Sequence, residues 1–149
     1  MSLQTELMTA LKAAMKSKDQ TALTALRAVK SAILLAQTET GAKEELTEEQ
    51  ELKILQKQVK QRKDSAAIYV EQGREDLAAP ELAEAEVISQ FLPEAMSEDD
   101  IAKVIEETIT KVGADGMKDM GKIMGIVSQQ LAGKADGKTI STIVKAKLS

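Results

Sequence analysis

With 149 residues, 43% of them apolar and 30% charged, the chain is long enough to bury a core as one domain or two small ones, and its composition excludes wholesale disorder. It has no cysteine and no histidine, which excludes disulfides, thiolate chemistry, the usual zinc sites and imidazole acid–base catalysis. The net charge of −4 is segregated: residues 1–74 carry +2, residues 75–100 carry −9 without one basic side chain, and residues 101–149 carry +3. Binding to a polyanion depends on local patches, so the overall sign does not decide against nucleic acid. Tyr69 and Phe91 are the only aromatic residues, too few for a base-stacking platform. No apolar run has the length of a signal peptide's core or of a membrane span, and a cytoplasmic location is expected, with no membrane partner.

Every periodic segment reads as a helix, and no alternating β-branched run competes. Helix one is expected over 3–18, with Leu3, Leu7, Leu11 and Met15 on one side. Asp19 caps helix two, 20–40, whose stripe is Leu23, Leu26, Val29 and Ile33 and whose stop is Gly41. Thr47 and Gln50 form a capping box that opens helix three, which runs to Gln72 with Leu52, Leu55, Val59, Ala66 and Tyr69 at three-and-four spacing. Gly73 ends it. Helix four is expected over 76–92, with Leu82, Ala85, Ile88 and Leu92 inward, Pro80 near its start and Pro93 as its stop. Ser97 and Asp100 read as a second capping box for helix five, closed by Gly113 and Gly116. Helix six is expected over 117–132, and Asp136 caps helix seven, 137–148, with Ile140, Ile143, Val144 and Leu148 apolar. The natural break is at 93–96. The fold expected is therefore all-α: an elongated four-helix domain over 1–93 and a three-helix domain over 97–149.

Helix six holds the most informative feature. Gly121 and Gly125 stand in an apolar-periodic segment, where each costs about 1 kcal/mol relative to alanine. At about 100° per residue with Lys118 at zero, Lys122 falls near 40°, Gly121 near −60° and Gly125 near −20°, whereas Met120, Ile123, Met124, Val127 and Leu131 lie between about 140° and 240°. The glycines thus sit among lysines and away from the apolar stripe. Two readings are open: a phosphodiester backbone approaching the bare strip, or a neighbouring helix crossing at the two glycines with the lysines solvated.

A second basic stretch runs along helix three as Lys53, Lys57, Lys60 and Lys63, with Arg62 nearby and Arg27 and Lys30 on helix two as an extension. It reads either as a docking surface or as solvated charges paired with Glu49, Glu51 and Asp64. Nothing supports catalysis. The serines lie at helix starts or on helix faces without an activating partner, and 133–137 lacks the spacing of a phosphate-binding loop and follows a helix. Carboxylate pairs such as Glu106–Glu107 and Asp99–Asp100 read as cap and surface groups. No metal and no cofactor are expected.

Several stretches together resemble the GatB/YqeY family over nearly the whole chain: Leu26-Arg-Ala-Val-Lys-Ser-Ala-Ile33, Lys57-Gln-Val-Lys-Gln-Arg-Lys-Asp64, Gly73-Arg-Glu-Asp-Leu77, Phe91-Leu-Pro93, Met120–Gly125 and Gly133–Lys138. The last two are similar to the tail domain of the B subunit of the tRNA-dependent amidotransferase, the part that touches tRNA in an enzyme amidating mischarged glutamate or aspartate. The resemblance implies an all-α fold and tRNA contact by Lys118, Gly121, Lys122, Gly125, Lys134 and Lys138. It brings none of the B subunit's catalytic body, so a carbon–nitrogen ligase label with glutamine as donor would describe relatives. The function expected is a non-catalytic tRNA-binding module, accessory to the amidotransferase or to other translation proteins. The alternative is a protein-interaction adaptor that uses the basic helix three, with Arg27, Lys30, Lys57, Lys60, Arg62 and Lys63, and no nucleic acid.

Overall fold

A computed structural model of the chain describes residues 2–39 and 46–149. The described residues form seven α-helices and one turn of 3₁₀ helix, with no strand: α1 (Leu3–Ser17), α2 (Gln20–Glu39), α3 (Glu48–Glu71), α4 (Glu75–Ser89), α5 (Glu98–Val112), the 3₁₀ turn (Met117–Asp119), α6 (Met120–Gln130) and α7 (Gly137–Leu148). They divide into two compact units, Met1–Leu92 and Pro93–Ser149.

In the first unit, helix ends are set by local chemistry. Lys18 takes a left-handed conformation (φ 58°) that closes α1. Asp19 follows at once and its Oδ1 accepts from the Ala22 N–H at 3.1 Å, so a single turn joins α1 to α2. Both halves of the Thr47–Gln50 capping box are made, at 3.2 and 2.9 Å. Gly73 (φ 72°) ends α3 in a Schellman arrangement: its N–H reaches the Val70 carbonyl and that of Arg74 reaches Tyr69. Gly41, expected to stop helix two, lies outside the described residues.

The core of this unit gathers Leu7, Leu11 and Ala14 of α1, Leu23, Leu26, Val29 and Ile33 of α2, Leu55 and Val59 of α3, and Ala85 and Ile88 of α4. Four expected core residues are not in it: Ala66 is buried outside this cluster, Tyr69 is only partly buried, and Met15 and Leu82 are exposed. Met15 is half exposed because α1 turns Ala14, three residues after Leu11, toward α2 in its place. Leu82 is also half exposed: the buried line of α4 runs through Ala78, Ala85 and Ile88, and Leu82 falls on its flank. Helix α4 ends at Ser89, three residues earlier than expected, where the N–H groups of Phe91 and Leu92 bond back to Ile88 and Ser89 in tight three-residue steps. Pro80 is tolerated as the sixth residue of α4 because the carbonyl it leaves without an N–H, that of Asp76, lies in the exposed first turn. There Arg74 donates to both carboxylate oxygens of Asp76 at 3.0 and 2.9 Å, a pairing that holds the Asp76 carboxyl below its usual range and raises Arg74 above its own.

The second unit is built on Ile101 and Ile105 of α5, Ile123 and Val127 of α6, Leu131, and Ile140, Val144 and Leu148 of α7. The apolar stripe expected for helix six faces this core, with Met120 and Met124 packed at its edge. Ser97 caps α5 by accepting from the Asp100 N–H at 3.2 Å, but the return bond that completes the box at Thr47 is not made here; aspartate is one methylene shorter than glutamate or glutamine. Gly113 (φ 73°) closes α5. Asp136 caps α7 strongly, its Oδ1 accepting from Lys138 and Thr139 N–H at 2.6 and 3.1 Å and its Oδ2 from the Thr139 hydroxyl at 3.0 Å.

Candidate nucleic-acid interface

The segment expected as one helix over 117–132 begins differently. Gly116 (φ 95°) turns the chain, Met117–Asp119 make a 3₁₀ turn, and α6 starts only at Met120. The Asp119 carboxylate does not cap α6; it accepts from the Asp115 N–H at 2.8 Å and so braces the turn. Lys118 therefore sits on a 3₁₀ turn with about 120° per residue, and the helical-wheel angle between it and Lys122 does not carry over. The signal for this start is a glycine bracketed by two aspartates, Asp115, Gly116 and Asp119, which periodicity alone absorbs into the helix.

On α6 itself the wheel holds. Gly121, Lys122, Gly125 and Gln129 are all exposed, while Ile123 and Val127 are buried on the other side. A methyl group placed on Gly121 or Gly125 would meet nothing within 4 Å. Among the described residues of its own unit no helix crosses at the two glycines, so the second reading of the pair lacks a crossing partner there. Two apolar side chains of this segment that periodicity does not single out, Met117 and Ile126, are also exposed.

Lys134 and Lys138 lie beyond the other end of α6. Lys134 follows Gly133 (φ 80°), and its backbone is held from both sides: the N–H bonds to the Leu131 carbonyl, and its own carbonyl accepts from Met96 at 3.0 Å. Lys138 stands in the first turn of α7, beside the Asp136 cap. The six residues thus form no tight cluster. They mark the two ends of a helix roughly 16 Å long, with the glycine strip nearer the first end. All four lysines are exposed, and none makes an ion pair among the described residues, in contrast to Lys147, which pairs with Glu106 at 2.5 Å. The nearby carboxylates of Asp119 and Asp136 are engaged by backbone N–H groups.

The second basic stretch is spent in good part within its own unit. Arg62 is largely buried and ties α3 to α4, its Nε meeting Glu84 at 3.3 Å while Nη1 donates to the carbonyl and side chain of Gln58 at 3.1 and 2.7 Å. Lys60 pairs with Asp64 at 2.9 Å and Lys53 with Glu49 at 3.0 Å, both one helical turn apart. Lys57, Lys63, Arg27 and Lys30 are exposed. Among the described residues no group of three or more Asp or Glu is disposed to hold a metal ion, and no helix is long and apolar enough to cross a membrane.

A model of the YqeY-like protein family matches residues 4–148 of the chain. The chain belongs to the YqeY-like family. Among the relatives of this YqeY-like chain is the altered inheritance of mitochondria protein 41 of Clavispora lusitaniae, 34% identical over 126 residues, which are 82% of this chain and 72% of that protein. The protein of the same name from Pyrenophora tritici-repentis is 29% identical over 144 residues, covering 92% of this chain and 78% of that one. The E subunit of the glutamyl-tRNA(Gln) amidotransferase of Thermococcus gammatolerans is 36% identical over 73 residues, 46% of this chain but only 12% of that much longer protein. The chain thus matches about an eighth of that amidotransferase component. The amidotransferase likeness found in this way is to the E subunit, whereas the motifs alone point to the B subunit.

Proposed function

We propose that this YqeY-like protein is a non-catalytic tRNA-binding module that acts beside a tRNA-dependent amidotransferase or another part of the translation apparatus, in the cytoplasm. The observation that carries the reading is the exposed backbone of Gly121 and Gly125 next to unpaired lysines, with open space above both glycines. Bare backbone lets a sugar–phosphate chain come closer than any side chain would, and ammonium groups at Lys118, Lys122, Lys134 and Lys138 meet phosphates as point charges. The likeness to a component of a glutamyl-tRNA(Gln) amidotransferase supports the same partner. With so few aromatic residues, binding would be by shape and phosphate contact rather than by reading bases.

Four lysine–phosphate contacts imply a slope of roughly −3 in log affinity against log salt. The test is a gel-shift titration of Lys118→Glu/Lys122→Glu and of the unaltered chain against bulk tRNA at two salt concentrations, with circular dichroism as a folding control. Lost affinity with an unchanged helix signal supports the reading. Indifference of the unaltered chain to salt, or an unchanged affinity of the variant, overturns it. The adaptor reading on helix three is weakened by Arg62, Lys60 and Lys53, whose charges already have partners within the unit.

A further inference from the structure

The α1–α2 hairpin bears a groove that no part of the tRNA reading uses. It lies between the two helices, is lined by Leu7, Met8, Leu11, Leu26, Ile33 and Leu34, and encloses about 80 Å³. That is far below the roughly 300 Å³ at which small-molecule sites begin, so a cofactor does not fit, whereas side chains projecting from a helix do. Met8 and Leu34 are 40% and 54% exposed although they line it. Methionine and leucine at the rim of a concave strip are the residue types that adapt to an entering apolar face.

Charge says what kind of face. From residue 4 to residue 37, the span that lines the groove, the sequence has five basic side chains and two acids, Glu6 and Asp19, and the Asp19 carboxylate is engaged in capping α2. Lys30 lines the groove; Arg27 is one turn before it on α2, and Lys12 one turn after Met8 on α1. All three are exposed and make no ion pair among the described residues, unlike Lys53, Lys60, Arg62 and Arg74 of the same unit, each of which has a carboxylate partner. An apolar groove with an unneutralised cationic margin is complementary to a helix with an apolar ridge flanked by carboxylates. A concave strip favours such a rod over a flat lipid surface, into which apolar side chains must protrude.

We propose that the groove between α1 and α2 is a docking site for an acidic amphipathic helix of a partner protein, seated on Met8 and Leu34 and bordered by Lys12, Arg27 and Lys30. This site is in the first unit, and its success or failure is independent of the tRNA reading of the second. The probe is a fluorescent synthetic helix of about 18 residues with leucines on one face and glutamates elsewhere, titrated against the full chain and followed by anisotropy and by methyl chemical shifts. Two controls are used: the same composition shuffled so that no apolar face forms, and lysines in place of the glutamates. The expected result is binding of the acidic amphipathic peptide alone, with shifts at Met8 and Leu34. Leu34→Glu and Arg27→Glu/Lys30→Glu, all at exposed positions, should each weaken it by about tenfold or more while leaving the helix signal intact. The proposal is overturned if that peptide does not bind at about 1 mM, if the shuffled peptide binds equally well, or if Leu34→Glu keeps the affinity. Binding of phosphatidylglycerol vesicles or of tRNA at this groove, without the peptide, overturns it as well.

Discussion

Replacing both strip glycines by alanine separates a functional cost from a structural one. Gly125 is the sixth residue of α6, inside the helix, and Gly121 is the second, in its first turn. Neither has a positive φ, and an added Cβ at either meets nothing within 4 Å. Removing an interior glycine is worth about 1 kcal/mol of helix stability and a first-turn glycine less, so Gly121→Ala/Gly125→Ala should stabilise the second unit by roughly 1–2 kcal/mol. For a unit of this size each kcal/mol raises the melting temperature by about 4–8 °C. Thermal melting followed by circular dichroism, with amide exchange along α6 to assign the gain to this helix, measures the first effect. Gel-shift against tRNA measures the second, expected as weaker binding because two methyl groups now stand where the phosphate chain would approach. A stabilised protein with full tRNA affinity would refute the functional account of the glycines. A destabilised one would refute the structural account, since it would mean that the strip is covered.

Three further outcomes test the architecture. Asp136→Ala removes a cap that accepts three hydrogen bonds and should destabilise the second unit by about 1–2 kcal/mol in urea denaturation, with Asp136→Asn or Asp136→Ser recovering most of it. Arg62→Ala leaves the largely buried Glu84 without its cation and should cost about 1–3 kcal/mol of first-unit stability, measured in the same way, while tRNA affinity stays unchanged. The Asp76 carboxyl is held below its ordinary value by Arg74, so what it contributes to the start of α4 is complete above about pH 4 and fades as the pH falls further. Acid titration of the unaltered chain and Asp76→Asn, followed by circular dichroism, should therefore differ in shape only below that pH.

Helix starts are the most legible part of the sequence because they depend on a few adjacent atoms. Asp19, Thr47 with Gln50, Ser97 and Asp136 each cap the helix whose opening they announce. Apolar stripes are legible where two spacings agree, as at Leu23, Leu26, Val29 and Ile33. They mislead where three and four compete: Met15 and Leu82 satisfy the spacing yet stand half exposed, while Ala14 and Ala78, outside the expected stripes, are buried. For the candidate site, the exposed glycine face of α6 follows from periodicity alone, whereas the 3₁₀ turn under Lys118 depends on a carboxylate reaching back four residues to Asp115. Arg62 looks like one more surface cation because its partner, Glu84, is 22 positions away on another helix. Long-range pairing of that kind leaves no periodic trace.

The Arg62–Glu84 tie also divides the α3–α4 hairpin into unequal halves. On one side of it, Leu55, Val59, Ala85 and Ile88 belong to the shared core; on the other, Ala66 and Ala78 are buried outside that cluster, while Ile68, Val70 and Leu77 are exposed. Beside these two methyl groups the only partly buried apolar side chain there is Tyr69, so the half toward Gly73 buries less apolar area than the root. Amide exchange is therefore expected to show protection falling from Val59 toward the turn at Gly73.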